Sequence, residues 1–203
     1  MQAIKLEGKE LYPSKIICIG QNYVGHIKEL GNEIPSQPVI FIKPNSAISD
    51  EIRTQAQTVI HYEGEICFVV MGGKLAAVGF GLDLTKREVQ TDLRNKGMPW
   101  ERSKAFDGAA VFSDFVMIEG ALQGLRLELY INDHLVQEGG YALMMNKPEA
   151  ILAEAGSFLS FEDGDVIMSG TPKGVGPIHA GDRFTGKIFS ANGSLVEAHW
   201  TVK

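Results

Sequence analysis

The stretch "HYEGEICFVVMGGKLAAVGFGLDLTKREVQ", residues 61–90, decides between a helical and a mainly β chain. Its first ten residues are rich in β-branched and aromatic side chains, the composition of a strand. "AAVGFGLDL" at 76–84 has the same character. T-K-R-E at 85–88 then has capping-box spacing, which predicts a helix from Thr85 to about Asn95, ahead of Gly97 and Pro99. Strand side chains alternate between faces, so His61, Glu63, Glu65, Cys67 and Val69 share one side, and Tyr62, Gly64, Ile66, Phe68 and Val70 the other. Two glutamates are therefore neighbours on a segment that otherwise wants burial. Their Cα atoms fall about 6.5 Å apart, close enough to converge on one cation and to repel if nothing positive lies between. An isolated E-x-E is more often a solvated strand end, so the rest of the chain has to decide.

Outward from this segment the pattern is many short strands and few helices. Strand character recurs at 15–20 ("KIICIG"), 38–43, 109–118, 125–132, 165–171, 182–191 and 194–203, and "LRLELYIN" alternates strictly, as a strand with one wet face does. Two more helices are predicted, at about Tyr23 to Leu30 with Asn22 as cap and Gly31 at the exit, and at Pro148 to Ala155. Strands of mixed order with inserted helices imply an α+β, mainly β fold, and the length suits one domain, 1–203. The chain is 44% hydrophobic with a formal net charge of −6 and no basic stripe, which argues against nucleic acid or an anionic membrane as partner. No apolar run is long enough for a membrane span and Met1 to Gly8 has no signal-peptide character, so a cytoplasmic protein is expected. Cys18 and Cys67 lie in apolar strand-like runs without C-x-x-C spacing and read as buried, reduced thiols.

Three constellations could carry chemistry. Asp83 ends the second strand beside the predicted helix; with Glu63 and Glu65 it would complete an all-carboxylate set, which suits Mg²⁺, Mn²⁺ or Ca²⁺ better than zinc. Alternatively Asp83 only stabilises the helix dipole. His26 and Glu29, three apart on the first helix, share a face, and Glu29 could accept from one ring nitrogen and raise the basicity of the other. A surface His and Glu on an amphipathic helix is the plainer alternative. "SGTPKGVGPIHAGD" is a Gly/Pro-rich loop after an apolar strand, able to approach a ligand closely but lacking the G-K-[ST] of a phosphate loop. Lys104, in "ERSKAFDG", is either a cation for a substrate carboxylate or simply solvated.

In their order, "ICIGQNYVGHIKELG", "PVIFIKPNSAI", "HYEGEICFVV", "GFGLDLTKREVQ", "KGMPWERSKAFDG" and "FEDGDVIMSGTPKGVGP" resemble the fumarylacetoacetate hydrolase family, in particular its short members similar to acylpyruvate hydrolases. The resemblance implies the family's mixed β-sandwich roll, a homodimer or larger assembly, and a divalent metal held by Glu63, Glu65 and Asp83. It implies that His26 and Glu29 activate water, assisted by Lys104, with Gln90, Arg87, Thr171 and Gly174 near a small 2-oxo acid. Gln21 stands where several members carry arginine. The activity it implies first is hydrolysis of a C–C bond in acylpyruvate-type 2,4-dioxo acids. Decarboxylation or keto–enol tautomerisation of oxaloacetate, and isomerisation of an unsaturated dicarboxylate, use the same residues. A non-enzymatic metal-binding β-domain is the alternative of a different class.

Overall fold

A β-hairpin forms the spine of the molecule, which a computed structural model describes over all residues, Met1–Lys203. Strands Gly64–Met71 and Lys74–Asp83 pair antiparallel across Gly72 and Gly73, which both take positive φ (56° and 70°), as a two-residue hairpin turn requires. They sit in the middle of an eight-stranded sheet. Its order is Val39–Pro44, Lys15–Gly20, Val166–Met168, Gly64–Met71, Lys74–Asp83, Ala110–Phe112, Ile48–Ser49, with Val116–Met117 also pairing to Lys74–Asp83. Two of the pairings are parallel, Lys15–Gly20 with Val166–Met168 and Ile48–Ser49 with Ala110–Phe112, so the sheet is mixed.

Both faces of this sheet are covered, which explains why its strands read as nearly continuous apolar runs. Ile66, Phe68, Val78, Phe80 and Leu82 face a second, four-stranded antiparallel sheet (order His134–Gly140, Arg126–Ile131, Arg183–Ser190, Gly193–Thr201) and pack in one core with its Leu127, Leu129, Phe184 and Ile188. Cys18, Cys67, Val69, Phe115 and Met168 form a smaller core on the other face. Each fully buried large side chain contributes about 1.5–3 kcal/mol. The mainly β sandwich expected from the sequence is therefore what forms, and both cysteines are buried free thiols. No helix is long and apolar enough to cross a membrane.

Two of the predicted helices depart from the sequence expectation at their starts. Helix α1 spans Val24–Glu29 and leaves through Gly31 at φ 64°, but Asn22 does not cap it. The Asn22 amide donates to Asn146 O and Ser169 O (2.9 and 2.8 Å) and its Oδ1 accepts from Asn146 N (2.7 Å), tying three segments together. Helix α2 spans Arg87–Asn95, two residues later than the capping-box spacing predicts. Thr85 and Lys86 are strand residues paired with Ile60–Tyr62, and the Thr85 hydroxyl is occupied by Asp83 O and Lys104. Helix α3 is the short turn Glu101–Lys104, and α4 spans Pro148–Gly156 with proline in its first turn, one residue longer than predicted. The segment 109–118 breaks in two because Ser113 Oγ accepts the Phe80 N–H (2.9 Å) in place of a ladder carbonyl.

Candidate active site

The two glutamates of the opening segment are buried, 5% and 1% exposed, and Asp83 is 1% exposed. The register causes this convergence. Asp83 N–H donates to Glu63 O (2.9 Å), Leu82 pairs with Gly64 and Gly81 with Glu65. The alternation of two adjacent strands therefore brings all three acids to one end of the hairpin. Their ligand oxygens lie within 4.8 Å of one another. Gly81 helps, since a Cβ there would lie 2.5 Å from Cys67 Sγ, on the side that Glu65 shares.

Cations surround the cluster. Lys104, carried in by α3 and 2% exposed, places Nζ 2.9 Å from Glu63 Oε2, 2.7 Å from Asp83 Oδ2 and 2.6 Å from Thr85 Oγ1. Those contacts use all three of its N–H donors, so Lys104 supplies positive charge to the site and no free hydrogen bond. Arg87 donates to Glu63 Oε1 and to Gln90 Oε1 (2.6 Å). Lys43, fully buried, donates to Lys104 O and lies 2.8 Å from Asp83 Oδ1, off the hydrogen-bond direction, so that this oxygen keeps no hydrogen-bond donor. Glu65 differs from its neighbours: it has no ion-pair partner, and its Oε2 accepts only the Gly170 N–H at 2.6 Å.

The electrostatics follow. Burial alone would raise Glu63, but Lys104, Arg87 and His26 outweigh it and hold the group far below the ordinary carboxylate range. Burial pushes Glu65 well up, and the Asp83 and Glu63 charges push it further. Burial pulls Lys104 down, yet Asp83 and Glu63 more than compensate and leave it above its usual value. A buried Asp83 oxygen that has Lys43 beside it but accepts no hydrogen bond, a buried Glu65 without an ion-pair partner and an all-oxygen donor set fit a hard divalent cation such as Mg²⁺, Mn²⁺ or Ca²⁺.

His26 lines the cleft leading to the acids, together with Gln21, Trp100 and Gln90. Its Nδ1 lies 3.2 Å from Glu29 Oε2, and the other carboxylate oxygen of Glu29 accepts the Gly174 N–H at 2.9 Å. Glu29 can only accept, so it selects the Nδ1–H tautomer and leaves Nε2 with the free lone pair. The cleft, which Lys104 and Glu63 also border, has a volume of about 20 Å³, room for little more than one water molecule.

Of the residues singled out in the sequence, the fold brings Glu63, Glu65, Asp83, Lys104, Arg87, Gln90, His26 and Glu29 together. Thr171 and Gly174 stand behind them. The Thr171 hydroxyl donates to Gly64 O (2.9 Å) and accepts from Gln137 Nε2 (2.8 Å), and Gly174 holds Glu29, so both position the site and neither lines the cleft. Gly170 needs its lack of a side chain: φ is 90° and a Cβ would lie 2.7 Å from Asn22 Cβ. Sequence reasoning passed over Lys43 and Gln137. An ammonium inside the apolar run "PVIFIK" was the available signal for the first; nothing local marks the second.

The chain and its fold are similar to those of known proteins. The family described as fumarylacetoacetate (FAA) hydrolase C-terminal matches residues 15–202. The oxaloacetate tautomerase YcgM of Escherichia coli (strain K12) is 38% identical over 194 residues, 86% of this chain and 88% of its own length. A crystal structure of a protein from Oleispira antarctica, proposed to be a fumarylacetoacetate isomerase/hydrolase, superposes with TM-score 0.94 at 35% identity over 100% of both chains. The fumarylpyruvate hydrolase of Pseudomonas aeruginosa, solved in complex with Mn²⁺ and pyruvate, superposes with TM-score 0.88 at 25% identity, covering 99% of this chain and 95% of its own.

Proposed function

The chain belongs to the fumarylacetoacetate hydrolase family, and we propose that it is a divalent-metal-dependent enzyme that interconverts the keto and enol forms of oxaloacetate. The observation that supports this best is a cluster of three buried carboxyl groups, one of which, Glu63, borders the same cleft as a histidine whose second nitrogen is free. Glu63, Glu65 and Asp83 would hold the metal. A divalent ion there supplies Lewis-acid polarisation of the 2-oxo group, which acidifies the adjacent carbon.

The chain's own residues do the rest. His26 moves the proton: Nε2 takes it from one of the two positions, the enol oxygen or C3, and the other position gains one, so atoms balance without water being consumed. Glu29, fixed at both oxygens by His26 and Gly174, keeps the ring in one orientation and offsets the charge it gains. Lys104 and Arg87 provide fixed positive charge toward the anionic enol form, worth more in a buried site than in water. Trp100 and Leu30 border the cleft and limit access of solvent.

Hydrolysis of acylpyruvates, which the family resemblance implies first, is the second reading. The likeness to fumarylpyruvate hydrolase favours it, and His26 with Glu29 could equally activate a water. The E. coli relative supports tautomerisation over it. The test follows decay of enol-oxaloacetate absorbance with Mg²⁺ or Mn²⁺ and with EDTA, and pyruvate release from acetylpyruvate in parallel. Metal-dependent acceleration of the first without the second is expected. No acceleration over buffer would refute the proposal.

A further inference from the structure

The narrow cleft beside Lys104 continues into a wider cavity of about 170 Å³ bordered by Leu30, Asn32, Gln90, Thr91, Arg94 and Asn95. Arg87, Gln90, Asn32 and Arg94 border both spaces, so they form one path. Arg87, Gln90, Thr91 and Arg94 follow one another at helical spacing on α2, and together they make a polar ladder leading away from the acids.

One feature at the far end, the Asn32 amide nitrogen, has no use in the free chain, and a solvent-exposed arginine stands beside it. Arg94 Nη2 donates to Asn32 Oδ1 at 2.9 Å, and Arg94 pairs with no carboxylate. Because arginine can only donate, this bond fixes the amide orientation of Asn32 and identifies its nitrogen as Nδ2. That Nδ2 is buried and has no acceptor. A buried amide N–H without a partner costs about 1–3 kcal/mol, and here it stands beside a guanidinium whose remaining donors are unpaired. No carboxyl group borders the wider cavity. Amide and guanidinium together present the donors that a carboxylate accepts.

We infer that Asn32 and Arg94 form a distal carboxylate subsite that makes the enzyme select dicarboxylic 2-oxo acids over monocarboxylic ones. This rests on the enolising reading above. One carboxylate of the substrate lies toward the three acids and the other against Arg94 and Asn32; Arg87 and Gln90 border the path between. Arg94 is a specificity-determining residue and takes no part in proton movement.

The test compares the keto–enol interconversion of oxaloacetate with that of acetylpyruvate, no C–C cleavage being followed, and, without turnover, the thermal shifts that L-malate and L-lactate produce in the Mg²⁺-loaded protein. Arg94→Gln should raise KM for oxaloacetate about tenfold or more, leave kcat and the acetylpyruvate parameters within twofold, and abolish the larger shift given by malate. Arg94→Lys should recover part of the discrimination. Asn32→Asp, which pairs with Arg94 and cancels its charge, should act like Arg94→Gln. Equal losses for both substrates, or a malate preference that survives in Arg94→Gln, would overturn the subsite. If the wild type turns over neither 2-oxo acid but still prefers malate to lactate, the enolising reading falls and the subsite stands. If it turns over both without any preference for the dicarboxylate, the subsite falls alone.

Discussion

Replacing Lys104 by methionine keeps most of the side-chain volume and removes one buried charge. In the wild type its ammonium binds Glu63, Asp83 and Thr85 at 2.9, 2.7 and 2.6 Å. Removing one partner of a buried ion pair costs about 3–5 kcal/mol, because the remaining charge is left uncompensated. Here two carboxylates lose that partner, though Glu63 keeps Arg87 and Asp83 keeps Lys43 at 2.8 Å. The lower half of the range applies if one of the freed acids takes up a proton. For a chain of this size 1 kcal/mol moves the midpoint by roughly 2–4 °C, so a fall of about 10 °C is expected in EDTA. A divalent ion then gains the two released carboxylates without a competing ammonium. At one hundred times its dissociation constant it contributes about 2.7 kcal/mol, so Mg²⁺ or Mn²⁺ should restore much of the loss and shift the variant more than the wild type. The assay is thermal unfolding followed by circular dichroism at pH 8, with EDTA and across a metal titration. A fall below about 3 °C in EDTA, or equal metal-induced shifts in both proteins, would refute the assignment of Lys104 as counter-ion of the acid cluster.

Glu65→Ala removes the one acid that has no cation of its own, and isothermal titration should show divalent-ion affinity reduced more than tenfold; unchanged affinity would remove Glu65 from the cage. Glu29→Gln leaves the acids untouched but turns an ionised orienting group into a neutral one, so kcat should fall by about 10²-fold while metal affinity stays within twofold, which turnover and titration together check. Asp165 accepts from Ser14 N and Oγ (2.9 and 2.8 Å), Lys15 N and Nζ (3.1 and 2.5 Å) and Glu162 N (2.9 Å). Burial raises this carboxyl, but these donors outweigh it and hold it below its ordinary value; the stability it gives is therefore complete above the unfolded value near 4 and is lost as pH falls through the lower folded value. Asp165→Asn should lower stability at pH 7 by about 2 kcal/mol, and denaturant unfolding should show the difference from wild type shrinking below pH 4.

The strands were legible because the chain's apolar residues come in short β-branched runs, and 15–20 is a strand to the residue. The acid cluster was legible in part for a related reason. Period-two alternation puts Glu63 and Glu65 on one side, but an isolated E-x-E is more often a solvated strand end, and it was the family resemblance that decided for a cage completed by Asp83. The starts of α1 and α2 were not legible, because Thr85 and Asn22 have hydroxyl and amide groups that local spacing assigns to caps, while the folded chain uses them to bind Lys104 and the Asn146 segment; the start of α4 at Pro148 was legible. Lys43, Gln137 and Asn32 escaped for another reason. Each gains its role through a partner far along the sequence, at Asp83, Gly64 or Arg94, and no local pattern encodes such distances.

Charge balance joins these features into one account. Glu63, Glu65 and Asp83 face Lys43, Lys104 and Arg87, so a fully ionised cluster is neutral before any metal arrives. Three cations beside three acids weaken the site for a divalent ion taken alone, since each ammonium or guanidinium repels it across a few ångströms of low-dielectric interior. The same cations attract an anionic ligand. With a divalent ion added the cluster carries a charge of about +2, which a dicarboxylate neutralises and a monocarboxylate does not. Ion and dianion should therefore strengthen each other's binding, and by linkage the factor must be the same in both directions. A site built in this way would hold a divalent ion more firmly when a doubly charged substrate is present, and the proposed subsite of Asn32 and Arg94 would extend that preference to the outer end of the cleft.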